Sequence, residues 1–133
     1  MKSFFKFVLA IFLAAIFTGC AADLGEVSGD QKLIISVDPD PGNSLVRAMG
    51  TTYNFNVVLQ SRVPANGTDF SVVYRQDLDN AVVFSQNYST TSSILNVSIT
   101  NMPFNEIGTV TIVATSKSNP ANTDTKSFKL VRK

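Results

Sequence analysis

Apolar and polar residues alternate with a period of two from Lys32 to the end of the chain, and turn-forming residues interrupt this alternation about every ten residues. Alternation of this kind predicts β-strands with one face in a core. The expected inward sets are Leu33, Ile35 and Val37; Tyr53, Phe55, Val57 and Leu59; Phe70, Val72 and Tyr74; Leu95, Val97 and Ile99; Val110, Ile112 and Ala114; and Phe128 and Leu130. A further strand is expected from Ala81 to Gln86, followed by a polar loop from Tyr88 to Ser92.

Segments rich in proline, glycine, asparagine and aspartate separate these strands at 38–43, 64–67, 77–80, 101–103 and 118–122. Proline removes a ladder hydrogen bond, and Asn-Gly is a strong turn dipeptide. The sequence therefore predicts an all-β domain, a single antiparallel β-sandwich of about seven short strands. A small closed barrel is the alternative.

Residues 103–116 resemble part of a known group of domains. After Pro103, the run from Gly108 to Ser116 resembles the penultimate strand of bacterial immunoglobulin-like, PKD-like and cadherin-like domains. Those strands often read Gly-x-Tyr-Thr-Val-x-Val/Ala, and Val110 stands here in the place of the tyrosine. The resemblance implies an immunoglobulin-like sandwich that binds, spaces or assembles.

The first twenty residues form a second pattern. A short basic start with Lys2 and Lys6 precedes an apolar run from Phe7 to Phe17, which is too short to cross a bilayer as a helix. The ending Phe17-Thr18-Gly19-Cys20 resembles the lipobox of bacterial lipoprotein signal peptides. This resemblance implies cleavage between Gly19 and Cys20 and acyl chains, such as palmitate, on Cys20.

The expected organisation follows from both patterns. Residues 1–19 are a signal peptide with a short helix, 20–31 are the lipidated N-terminus and a flexible tether, and 32–133 are the sandwich. Ala21 follows the cysteine, where aspartate often favours inner-membrane retention, so the resemblance implies a lipid-anchored protein of the cell envelope at the outer membrane. An ordinary signal peptide with an incidental cysteine is the alternative.

Composition excludes several classes of function. The chain has one cysteine and no histidine, which removes internal disulfides, the commonest general base and the commonest metal ligand. No basic patch supports nucleic-acid binding. We expect no enzyme and no cofactor.

Two sets of residues are candidates for binding. Asp38 and Asp40, and Asp77 and Asp79, are weak candidates for calcium, because they cluster oxygen ligands, although such residues also form ordinary turns. The expected partner surface is an apolar stripe, which requires Val72, Val82, Ile112 and Leu130 to face the core. The stripe itself consists of Val73, Val83, Val113 and Val131.

These observations favour a membrane-anchored, non-enzymatic module that binds a protein partner or has a structural role in the cell envelope. The alternative is a carbohydrate-binding or adhesive lipoprotein. That alternative has little support from composition, since the chain has no tryptophan and only Tyr88 is expected in a loop.

Overall fold

The computed structural model describes residues 30–133, and within this range all regular structure is β. The eight strands are β1 (Ile35–Asp38), β2 (Val46–Ala48), β3 (Tyr53–Leu59), β4 (Thr68–Gln76), β5 (Val82–Thr90), β6 (Ile94–Ile99), β7 (Ile107–Ser116) and β8 (Thr123–Arg132). The predicted signal peptide and most of the predicted tether, residues 1–29, lie outside the described residues.

The strands form two sheets that pack into a sandwich. The three-stranded sheet has the order β1-β3-β6, and the five-stranded sheet has the order β2-β8-β7-β4-β5. The prediction of an all-β sandwich is confirmed. It is corrected in one respect, because β2 runs parallel to β8 while every other neighbouring pair is antiparallel.

The core lies between the two sheets and is built from the alternating residues. Val57, Val72, Ile112 and Leu130 are completely buried. At one end of this core the rings of Tyr53, Phe55 and Phe128 pack together, with the last two edge to face at 5.5 Å between centroids. The predicted turn at 64–67 is confirmed by a hydrogen bond of 3.0 Å from the Gly67 N–H to the Pro64 carbonyl oxygen.

The N-terminal residues of the described range are held at one end of the sandwich, which we call the proximal end. The Asn122 side chain donates to the Gln31 carbonyl oxygen, and the Gln31 side chain accepts from the Arg62 N–H, each at 2.9 Å. The Ser116 hydroxyl donates to the Asp30 carboxylate. The last two residues of the predicted tether are therefore fixed to the domain.

The opposite end of the sandwich, which we call the distal end, carries the loops 49–52, 77–81 and 100–106. The register of the strands defines it, since β4 and β8 end there and β5 and β7 begin there. The C-terminal Lys133 is also at this end, where its N–H donates to the Ala48 carbonyl oxygen at 2.8 Å.

The structure differs from the expected strands at β2 and β5. The alternation did not predict β2, which has only three residues. The segment 88–90, expected in a loop, belongs to β5, and Tyr88 packs against the core instead. A β-bulge opposite Tyr74 and Arg75 shifts the register of β5, so Val82 pairs with Arg75 and is half exposed while Val83 packs against the core.

Candidate functional site

Gly19 and Cys20, the last residues of the predicted lipobox, lie outside the described residues, so cleavage and lipidation remain predictions. Asp30 is the described residue nearest to them along the chain, and it is held at the proximal end. A chain attached to Cys20 therefore enters the domain at that end.

The four aspartates proposed for calcium lie in two separate segments, and two of them have local partners. Asp40 accepts from the Gly42 N–H at 2.9 Å and Asp79 accepts from the Ala81 N–H at 3.0 Å, as aspartates do in ordinary turns. Among residues 30–133, no group of three or more histidine, cysteine, aspartate or glutamate side chains could hold a metal ion.

Asp77 belongs to a different arrangement, a polar cluster on the outer face of the five-stranded sheet. Its carboxylate accepts from the Lys129 ammonium and from the Thr109 hydroxyl, each at 2.7 Å. These two hydrogen bonds lower the pKa of Asp77. The cluster joins β7, β8 and the end of β4, which is a structural role.

The predicted valine stripe is not continuous. Val131 is completely buried between Ile107 of β7 and Arg47 of β2, so its expected outward exposure is wrong. Val83 is also removed from the stripe, because the bulge in β5 turns it towards the core. Val131 is buried because its two cross-strand neighbours are large. Val113 lies between the smaller side chains of Ser71 and Thr125, and it stays partly exposed.

Val73 and Val113 remain on the outer face, and they are diagonal neighbours across β4 and β7. The side chains around them are small and mostly hydroxylated. They are Ser71, Ser85, Asn87, Thr111, Thr125 and Ser127. Two half-buried valines among hydroxyl groups form a polar surface and not an apolar stripe.

A cleft of about 750 Å³ opens beside the free edge of β1. Its walls are β1, the loop 40–43, Val58 of β3 with the following Gln60, and Lys126 and Ser127 of β8. None of the lining side chains is aromatic, and sugar sites usually stack a sugar ring on an aromatic face. The cleft therefore gives no support to the carbohydrate-binding alternative.

The most distinctive surface is at the distal end, where five apolar side chains are exposed. Met49 is 86% exposed, Leu78 is 87% exposed and Phe104 is 66% exposed, while Val82 and Ile107 are about half exposed. Soluble domains leave single apolar residues exposed, but several large ones at one end are unusual. We call these five residues the distal apolar rim.

The backbone brings the segments of the rim side by side along the end of the five-stranded sheet. Met49 follows Ala48, which pairs with Arg132, and Arg132 also forms a bridge with Phe104. The Asp77 N–H donates to the Ile107 carbonyl oxygen at 3.0 Å, which places Leu78 next to β7. Val82 pairs with Arg75 at the end of β4.

Three asparagines shape the loops that carry the rim. Asn80, Asn101 and Asn105 have φ values of 59°, 56° and 60°, and among the described residues they are the ones other than glycine with positive φ. Asparagine tolerates this left-handed conformation better than other side chains. Tight turns of this kind hold Leu78 and Phe104 in solvent, and the Arg132 guanidinium lies 5.8 Å from the centre of the Phe104 ring.

Sequence reasoning missed the rim because it treated its loops only as strand breaks. One signal was present, since Leu78 stands between two aspartates and Phe104 stands between Pro103 and Asn105. Large apolar residues inside turns are often exposed, although Met102 in the same loop as Phe104 is buried. Val82 could not be found in this way, because its exposure depends on the bulge.

Comparison with known proteins does not assign the chain to a family. No protein-family model matches it, and no curated protein is significantly similar to it. Within residues 30–133, no helix has the length and apolar character needed to cross a bilayer.

Proposed function

We propose that this protein is a lipid-anchored, non-enzymatic binding module of the bacterial cell envelope, held at a membrane through Cys20. The domain presents its distal apolar rim to a protein partner. The observation that carries this proposal is the placement of the rim at the end of the sandwich opposite to the end where Asp30 and Gln31 are held.

The geometry favours a partner on the side away from the anchor. About ten residues separate Cys20 from the fixed residue Asp30, and a coil of this length spans roughly 18 Å. The proximal end therefore stays close to the headgroups, while the strands carry the rim outward. Exposed apolar side chains at such a tip match the apolar core of protein interfaces.

The anchor is tested by the Cys20→Ala variant. We expect the unmodified chain to fractionate with membranes at the mass of a cleaved, acylated protein, because stable anchoring needs two or more acyl chains. Cys20→Ala should release the protein or leave it unprocessed. If the variant still fractionates with lipid at the mature mass, the lipoprotein assignment is wrong.

The rim is tested by co-purification from cross-linked membranes with quantitative mass spectrometry. A double variant, Leu78→Ser with Phe104→Ser, should lose the proteins that co-purify with the unmodified chain. Ile94→Ser is the matched control, because Ile94 is 51% exposed but lies at the proximal end. Equal recovery from both variants would exclude the rim as the partner surface.

Carbohydrate binding remains the second candidate and has less support. Tyr88, the aromatic residue expected in a loop, packs against the core from β5. A glycan array with the full chain tests it, and a specific signal that survives the rim variant would favour this candidate.

A further inference from the structure

Strand β5 is an edge strand that, beyond the bulge near its start, lacks the features that usually protect a sheet edge. It has nine residues, it pairs only with β4 among residues 30–133, and its sequence from Val82 to Thr90 contains neither a charged residue nor a proline. Natural edge strands are commonly short, charged, interrupted or covered, because their free N–H and C=O groups bind other strands.

The direction of the β4 hydrogen bonds shows which β5 groups are free. The Lys117 N–H donates to the Gly67 carbonyl oxygen, and the Asp77 N–H donates to the Ile107 carbonyl oxygen. The backbone groups of the odd-numbered residues of β4 therefore form hydrogen bonds with β7. Even-numbered residues of β4 therefore bond β5, as the bond from the Gln76 N–H to the Ala81 carbonyl oxygen shows.

The residues of β5 opposite these positions are Phe84, Gln86, Tyr88 and Thr90. The backbone groups of the intervening residues, Ser85, Asn87 and Ser89, point to the free edge. Within residues 30–133 they have no hydrogen-bond partner.

Two other edges of the sandwich offer less free backbone. The start of the β1 edge is covered by side chains, since the Leu33 N–H donates to Asn122 and the Ile35 N–H donates to Asp124, each at 2.9 Å. The edge strand β2 has only three residues. The edge of β5 is longer than these, and β6, the edge strand of the other sheet, has six residues.

We propose that β5 pairs antiparallel with β5 of a second copy of this chain, about a two-fold axis at Gln86. In this register Ser85 of each copy lies opposite Asn87 of the other, so the free backbone groups of both strands meet as hydrogen-bonded pairs. The two five-stranded sheets then form one continuous sheet.

The side chains of β5 favour this occupant and this register. Phe84 lies opposite Tyr88 of the second copy, twice by symmetry, at the closer, non-hydrogen-bonded positions of the ladder. Both side chains are half-buried and share a face with the core residues Tyr74 and Phe70. Because β5 carries no charge, self-pairing brings no like charges together.

Cysteine cross-linking tests the register in the full chain. Gln86 is exposed and faces its own copy across the axis, at the Cα separation of about 4.5 Å that suits a disulfide. Gln86→Cys should give mostly disulfide-linked dimer on mild oxidation. The unmodified chain, whose one cysteine is Cys20, and Ser127→Cys on the outer face of β8 should not. Cross-linking of Asn87→Cys in place of Gln86→Cys would overturn this register.

Sedimentation velocity of the full chain in detergent tests the dimer without cysteines. Gln86→Lys should raise the dissociation constant of the dimer at least tenfold, because two like charges would then face each other. The matched control, Ser127→Lys, should keep the dimer. The proposal is overturned if the unmodified chain stays monomeric at every concentration. It is also overturned if Gln86→Lys instead releases a different protein that was bound to the unmodified chain.

Discussion

The ring of Tyr74 on β4 occupies the space that a side chain at Gly108 on β7 would need. A Cβ atom at position 108 would overlap Cε2 of this ring and the Arg75 carbonyl oxygen, well inside van der Waals contact. The buried Tyr74 hydroxyl continues past the glycine and donates to the Leu130 carbonyl oxygen at 3.2 Å. Gly108 therefore lets one large side chain connect three adjacent strands.

We expect Gly108→Ala to destabilise the domain by about 1–3 kcal/mol or more, since overpacking forces the ring or the backbone to move. The free energy of unfolding in urea measures this cost. Gly50→Ala is the control, because nothing lies within 4 Å of a Cβ there and its change should stay within about 0.5 kcal/mol. Equal midpoints for the two variants would contradict the described contact.

We expect the domain to lose stability above about pH 10. Burial, with smaller contributions from the negative charges of Asp77 and Glu106, raises the pKa of Tyr74, and burial also raises the pKa of Tyr53 and of Tyr88. Because these pKa values are higher in the folded state, the three tyrosines contribute fully to the free energy of unfolding below their unfolded pKa of about 10. This contribution is lost as the pH rises through the folded pKa.

Urea midpoints at pH 8 and pH 11 measure this dependence. Tyr74→Phe should lower the midpoint at pH 8 by the equivalent of about 1 kcal/mol through the lost hydrogen bond, and should fall less steeply towards pH 11. An equally steep fall in Tyr74→Phe and in the unmodified chain would assign the alkaline transition to other groups.

The Thr68 hydroxyl oxygen is buried and has no hydrogen-bond partner in the part of the chain that the structure describes. Replacing it with a methyl group of the same size removes an unsatisfied polar atom, so we expect Thr68→Val to be neutral or to raise the thermal midpoint. Thr68→Ala should lower the midpoint, since it leaves a cavity beside the core. A lower midpoint for valine than for alanine would show that the hydroxyl has a partner in solution.

Val113 and Val131 distinguish the exposed part of the outer face from its buried part. Val113→Lys should fold with nearly unchanged stability, because the lysine stem can extend past Ser71 and Thr125 into water. Val131→Lys should unfold the domain or destabilise it by several kcal/mol, because the charge would be buried without a partner. Circular dichroism and a thermal melt of each variant measure the difference, and similar melts would contradict the burial of Val131.

The alternation in the sequences of β3, β4 and β7 was enough to predict which residues of these three strands face the core. These strands have regular registers, so a period of two in the sequence becomes one buried face. The prediction failed for Val82 and Val83, because one extra residue in β5 reverses the faces of the residues before it, and nothing in the local sequence shows the bulge. It failed for Val131 because burial on an outer face depends on the size of neighbours from other strands.

The distal apolar rim was harder to predict than the core. Its five residues come from loops and strand ends that are distant in sequence, and only the strand order places Met49, Phe104, Ile107 and Leu78 next to one another. Alternation reports which side of a strand is buried, and it carries no information on which loops share an end of the sandwich.

Asp30 and Lys133 lie at opposite ends of the sandwich, and this has a mechanical consequence. Tension applied between them runs along the strands, so the ladder bonds of β1 and of β8 are loaded in shear and must break together. A domain pulled from two points at one end would instead open one bond at a time, at lower force. The domain is therefore arranged to transmit a load from Asp30 to its distal end with little extension.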